Sequence, residues 1–197
     1  MGLRAAVASA ALSGSRYGLA EVRTGTVTDP VLQGALRVSA ALAGLAPRWP
    51  GAPRQVLARL HLLAARGAVG DGELGRPVAD RAVTGRIDAL VALVTGGAEP
   101  GLVRAAVVHG ELLALRAFPG PYGVVARAAA RVELISSGLD PDGLIGVELG
   151  HLAREPEYVG AAGAFATGTR DGVRAWLRHC ARAVEEAATA GVSTVED

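Results

Sequence analysis

Lysine and asparagine are missing from all 197 residues, so fixed positive charge is carried by arginine alone. Their absence excludes a phosphate-loop lysine, a Schiff-base lysine and any mechanism that polarises a substrate with an asparagine amide. A single cysteine, Cys180, excludes an intramolecular disulfide and a cysteine-ligated zinc cluster. Flanked by His179 and Ala181, it reads as a packed thiol rather than a nucleophile. Aromatic residues make up only 4% of a chain that is 50% hydrophobic, so the core must be built mainly from alanine, leucine and valine. No apolar run is long enough to span a bilayer. The short, serine-broken apolar start reads as an amphipathic helix rather than a secretory signal. The net charge is +1 with the two signs interspersed, which leaves no footprint for nucleic acid or a membrane surface. The expectation is a soluble, cytoplasmic protein.

What is present is helix-forming sequence. Alanine and leucine favour helix, apolar residues recur at helical spacing, and no window alternates with period two. Leu3, Val7, Leu12, Leu19 and Val22 predict a helix over 3–22, interrupted by Gly14 and Gly18. Asp29-Pro30 opens the next, because Asp caps free N–H groups and Pro suits the first turn. Pro47, Pro50 and Pro53 punctuate a turn around Trp49. Helices follow over 54–66, 81–94, 100–116 and 124–136. Asp140-Pro141 repeats the Asp-Pro start. Shorter helices over 147–153 and from near Pro156 precede a long one over 171–190, and the tail over 191–197 reads as frayed. On the last helix Val173, Trp176 and Leu177 form an apolar face that serves either a core or an interface. The fold class expected is all-α, about eight helices in a single domain over 1–197.

Most short motifs yield to plain readings. Gly70-Asp71-Gly72-Glu73-Leu74-Gly75 matches the dinucleotide pattern of three spaced glycines, but a helix precedes it and Pro77 follows it. The mechanism needs a strand before and a helix after, so a turn is expected. His109 and Glu111 are two apart on a helix and face different ways. Glu148 and His151 share a face but have no third ligand nearby, and His61 reads as a packed residue making one hydrogen bond. No nucleophile-elbow sequence is present.

The helix–loop–helix over 107–131 stands apart. Its loop, Phe118-Pro119-Gly120-Pro121-Tyr122-Gly123, feeds a helix N-terminus, where free N–H groups and the positive end of the dipole favour an anion. The stretch resembles the signature of the Fic/Doc (Fido) family, H-P-F-x-D/E-G-N-G-R-x-x-R between two helices. In the register set by Phe118, Arg116 stands at the catalytic His and Ala117 at the Pro. Gly120 stands at the acidic metal-holding position, Pro121 at the first Gly, Tyr122 at the Asn, and Val124 at the first phosphate-binding Arg. Phe118, Gly123 and Arg127 match. The resemblance extends outward. His109 lies where the family often has an upstream His, and Leu112 and Leu115 fall on its apolar positions. Arg59-Leu60-His61 with Gly75-Arg76 resembles the family's upstream segment, shortened. Glu157-Tyr158 and the stretch over 168–176 look like its closing helices. Ser9-Ala10-Ala11-Leu12-Ser13-Gly14 is similar to the inhibitory motif S/T-x-x-x-E-G/N, with Ser13 at the Glu. The likeness is nearest to an actinobacterial Fic-like subgroup, in keeping with the GC-rich coding that an arginine-rich, lysine-free chain suggests.

Typical Fic enzymes transfer AMP from ATP-Mg²⁺ to a hydroxyl side chain. The resemblance therefore implies a nucleotide or phosphate site at Phe118, Gly120, Tyr122, Gly123 and Arg127, with Ser9 and Ser13 in the regulatory position. It also implies degeneration. Arg116 cannot be a general base, since its guanidinium stays protonated. Gly120 offers no carboxylate to a metal, Val124 removes a phosphate fork, and Pro119 and Pro121 remove two loop donors. The family's substrate-docking hairpin would lie between Arg76 and Arg86, where there is little room for it. The leading expectation is a Fic-fold pseudoenzyme that acts as an interaction or ligand-sensing module, binding a protein partner or weakly a nucleotide. The alternative is an active transferase with altered residues, His109 being the candidate base. A third reading is an all-α scaffold that only looks Fic-like.

Overall fold

A computed structural model describes residues 1–192. Among them are ten α-helices, nine of seven residues or more, and no strand. In chain order they are α1 Gly2–Ala11, α2 Leu19–Arg23, α3 Pro30–Leu45, α4 Pro53–Ala65, α5 Arg81–Gly96, α6 Gly101–Leu115, α7 Tyr122–Ser136, α8 Val147–Ala153, α9 Glu155–Ala166 and α10 Arg170–Val192. No helix among the described residues is long and apolar enough to cross a membrane. The expected frayed tail lies, from residue 193 on, outside the described residues.

Local signals explain the starts and stops. Asp29 accepts the Leu32 N–H at 2.8 Å, and Pro30 opens α3 behind it. Asp80 accepts the N–H groups of Ala82 and Val83 and so begins α5. Two expectations need correction, and one left open is settled. The helix predicted over 3–22 is two helices. Gly14 turns the chain at φ +90° and Gly18 caps α2, so the glycines end the first helix rather than merely interrupting it. That separation brings the helix number to ten, against about eight expected. Asp140-Pro141 does not start a helix. The Asp140 carboxylate reaches further along the chain, to the N–H groups of Leu144 and Ile145, and holds a loop turned by Gly143 at φ +65°. The face around Trp176 is core: Trp176 is fully buried, and Val173 and Leu177 pack against the same cluster.

α7 is the central helix. Twelve of its fifteen residues are buried, so it has no solvent face. Small side chains make this feasible, since Ala126, Ala128, Ala129 and Ala130 let α1, α3, α4, α6 and α8 close around it. Its three buried charges must then be satisfied internally. Glu133 accepts from Trp49 Nε1 at 2.6 Å and from Arg104 Nε at 2.8 Å. This fastens the proline-rich turn around Trp49 to the core. Arg131 donates to the Gly143 carbonyl at 2.9 Å and stands 3.9 Å from Glu148. Burial holds the Glu148 carboxyl above the usual range against the pull of Arg131. Arg127 belongs to the site below.

Replacing Glu133 with alanine strands the Trp49 N–H and the Arg104 charge, and is expected to cost about 3–5 kcal/mol of stability in urea unfolding. A loss below about 1 kcal/mol, the level of an exposed pair, would contradict this role.

Candidate functional site

The loop between α6 and α7 is held from three directions. α6 ends as Arg116 enters the left-handed region at φ 45°, the only non-glycine with positive φ among the described residues. That conformation costs on the order of 1 kcal/mol and throws the Arg116 side chain outward. Phe118 is buried and packs on the His61 ring, centroids 4.9 Å apart. His61 makes two hydrogen bonds rather than the one expected. Its Nδ1 accepts from the Gly75 N–H and its Nε2 donates to the Pro119 carbonyl, both at 3.0 Å. Those roles require the neutral ring with hydrogen on Nε2, and burial pushes its pKa down in agreement. From a third side the Val78 N–H donates to the Ala117 carbonyl at 2.9 Å. Gly120 has φ +72°, and a Cβ there would meet Val69 Cγ1 at 2.6 Å, so no other residue fits without movement. The segment between Arg76 and Arg86, expected to leave little room for a docking hairpin, holds no strand: an irregular stretch with a tight turn from the Val78 carbonyl to the Asp80 N–H leads into α5 at Arg81. The three-glycine motif over 70–75 is a turn, a short 3₁₀ segment capped by Glu73, with no strand before it.

Arg127 lies under this loop, 1% exposed. Its Nε donates to Ser9 Oγ at 3.0 Å and its Nη2 to the Ser9 carbonyl at 2.7 Å and Ser13 Oγ at 2.6 Å. Its Nη1 donates to Tyr158 Oη at 3.2 Å. All four acceptors are neutral oxygens. A guanidinium has five N–H groups, so one N–H on Nη1 is left without a bond. The space in front of it is kept open by Gly123, where a Cβ would sit 3.2 Å from Nη1 and 3.3 Å from both Nη2 and Ser13 Oγ.

That space belongs to a cleft of about 790 Å³. Of the residues read from sequence, Ser13, Arg116, Gly120, Tyr122, Gly123 and Arg127 line it. Phe118 and Ser9 do not; they lie behind the wall as the loop anchor and as an Arg127 acceptor. Arg116 is exposed at the mouth, its guanidinium 5.5 Å from the centre of the Tyr122 ring. Arg116 and Arg127 are the only charged residues among the described residues lining the cleft, which include no Asp, Glu, His or Cys. The cleft therefore offers two cations, the hydroxyls of Ser13, Tyr122 and Tyr158 and apolar walls, with no histidine and no carboxylate for a metal. The Mg²⁺ that the family resemblance implies does not fit this residue set, since hard cations take oxygen ligands that are largely carboxylates.

His109 does not reach the cleft. It is 1% exposed and lies behind Tyr158, with Nε2 3.0 Å from Tyr158 Oη. It cannot take a proton directly from a molecule in the cleft. It belongs instead to a buried cluster that sequence reading did not assemble. His151 Nδ1 lies 3.0 Å from His179 Nε2, the His109 and His151 rings are 5.0 Å apart, and Trp176 packs against all three. His179 Nδ1 stands 3.4 Å from Glu157 Oε1, too poorly aligned for a good hydrogen bond. No group of three or more His, Cys, Asp or Glu among the described residues could hold a metal ion. Tyr158 was noticed only as part of a closing helix. It is one of three tyrosines in an aromatic-poor chain, on a helix otherwise rich in Ala and Gly, and that rarity was the available signal.

Burial holds the pKa values of His109, His151, His179 and His61 below the usual imidazole value, with Arg127 adding to the effect at His109 and His151. The unfolded chain therefore binds protons first on acidification. Stability should be complete above the unfolded value of about 6.5 and fall as pH drops below it, each histidine adding at most about 1.4 kcal/mol per pH unit to the slope. Glu148, with its raised pKa, acts in the opposite sense, but as one group against four. Melting temperatures measured from pH 8 to pH 5 should decline below pH 6.5, and a flat or rising profile would contradict the buried, neutral cluster. No protein-family model matches this chain, and no curated protein matches it in sequence.

Proposed function

We propose that this chain is a Fic-like helical domain that has given up transfer chemistry and uses its cleft to bind a phosphate-bearing ligand, weakly and without a metal, as a ligand-sensing or interaction module. The observation that carries this reading is the composition of the cleft wall: two arginines, Arg116 and Arg127, and no acid or base beside them. Arginine matches phosphate geometry well, and a guanidinium with one N–H left over has capacity for an acceptor oxygen. Proton abstraction, by contrast, is usually the work of a histidine or carboxylate within reach of the substrate, and neither lines this cleft.

The Fic-like part of the reading is supported by three placements. Phe118 anchors the loop from beneath, as the motif requires of its Phe. Ser9 and Ser13 meet the side chain of Arg127, the pairing that the inhibitory motif makes through a Glu. Tyr158 and Trp176, from the closing helices, pack behind the same site. With Ser13 in place of a carboxylate, the guanidinium keeps its full charge for a ligand.

AMP, pyrophosphate and ATP should each raise the melting temperature to the same extent with Mg²⁺ as with a chelator. Gly123→Ala, which fills the space before Arg127, should weaken binding by about tenfold or more. Labelled ATP with Mg²⁺ should leave no AMP on the protein or on added proteins. Transfer of label that disappears in Arg127→Ala would overturn the non-catalytic reading in favour of an altered transferase.

A further inference from the structure

The cleft and the histidine cluster are joined through one hydroxyl. Tyr158 Oη accepts from Arg127 Nη1 at 3.2 Å and lies 3.0 Å from His109 Nε2, while Tyr158 itself lines the cleft. A phenol has a single O–H hydrogen. When His109 is neutral with Nε2 bare, that hydrogen is spent on His109. When Nε2 carries a hydrogen, it becomes the donor, and the phenol hydrogen is released to turn toward the cleft. The state of His109 therefore decides whether Tyr158 can donate to an anion beside Arg127.

We propose that the cleft is a proton-coupled anion site: an anion at Arg127 and a proton on His109 are taken up together, with the Tyr158 hydroxyl turning from His109 toward the anion. This rests on the anion-binding reading of the cleft. No covalent bond changes; the proton comes from water and ends on His109 Nε2.

The electrostatics act in the same direction. Burial chiefly lowers the pKa values of His109 and His151, and Arg127 on α7 adds to the effect; its charge meets no carboxylate within hydrogen-bond reach. An anion on its free N–H offsets that field, so the cluster gains proton affinity when the ligand binds. The other ionisable groups facing the cluster do not supply this compensation. Glu148 on α8 faces Arg131 at 3.9 Å and makes no hydrogen bond to Arg127, and Cys180 on α10 is held as a neutral thiol. Glu157 on α9 is engaged with Arg154, between α8 and α9, and stands 3.6 Å from Arg182 of α10, and Glu186 is paired with Arg154. His151 and His179, hydrogen-bonded to each other, continue the cluster toward Glu157 at the surface. Reciprocity then requires that acid tighten the anion and that the anion raise the pKa of the cluster.

Sulfate is the suitable probe, because its charge does not change between pH 5 and 8. Calorimetric titration should show affinity rising by up to about tenfold per pH unit as pH falls from 7.5 to 5.5. Repeated in buffers of different ionisation enthalpy, it should report uptake approaching one proton per sulfate. Tyr158→Phe should bind sulfate more weakly, one donor having been removed, and with a clearly shallower pH dependence. In the wild-type protein, saturating sulfate should move the His109 imidazole titration, followed by NMR, to higher pH. Sulfate binding without proton uptake, an unchanged pH slope in folded Tyr158→Phe, or an unmoved His109 titration would each overturn the coupling while leaving the anion cleft intact. Failure of sulfate to bind at any pH, together with failure of AMP and pyrophosphate, would overturn the cleft reading and the coupling with it.

Discussion

A buried guanidinium whose acceptors are all neutral governs this structure. Arg127 sits on a helix with no solvent face, and it is reached by the end of α1, by α9 and by the loop before α7. Removing such a charge from water is costly unless it is well paired, and pairing with a carboxylate is the common solution. Here the pairing uses two serines and a tyrosine. They satisfy hydrogen-bond geometry without placing a carboxylate on the guanidinium. The same residue ties α1 to the core, lines the cleft, and adds to the burial that lowers the pKa values of His109 and His151. Structure, ligand chemistry and proton chemistry thus meet at one side chain.

The contrast with Glu133 on the same helix is informative. That carboxylate has an arginine partner and an indole donor, and it lies far from the cleft wall. Charge there is closed off and serves the fold. At Arg127 the open side is maintained by a glycine on the preceding turn, where a methyl group would be enough to cover the guanidinium. The loop that carries this glycine is rigidly placed by His61, Phe118 and the Val78 N–H, which favours a preformed site over one assembled on binding.

Much of the fold was legible in the sequence because helical periodicity and capping are local. Asp29-Pro30 and the break after α5 could be read directly, and the helix–loop–helix that organises the cleft stood out through its prolines and glycines. Asp140-Pro141 shows the limit. The same dipeptide serves a cap or a loop depending on whether the carboxylate turns back three residues on or four and five. Six cleft-lining residues, Ser13, Arg116, Gly120, Tyr122, Gly123 and Arg127, are legible because they fall in one contiguous stretch plus the turn after α1, whereas the lining from α3, from Gly67 and Ala68 and from α9 is not. What could not be read was long-range: Tyr158 between Arg127 and His109, and the meeting of His109, His151 and His179 from α6, α8 and α10. Their sequence separations carry no periodic signal, and only packing of the last helices brings them together.

The central claim concerns where an anion would sit, and diffraction can locate it. Crystals equilibrated with sulfate should show the ion in the cleft with an oxygen in hydrogen-bond distance of Arg127 Nη1, in front of Gly123, with no metal required. Sulfate found only on exposed arginines elsewhere, with the space before Gly123 filled by water, would contradict it.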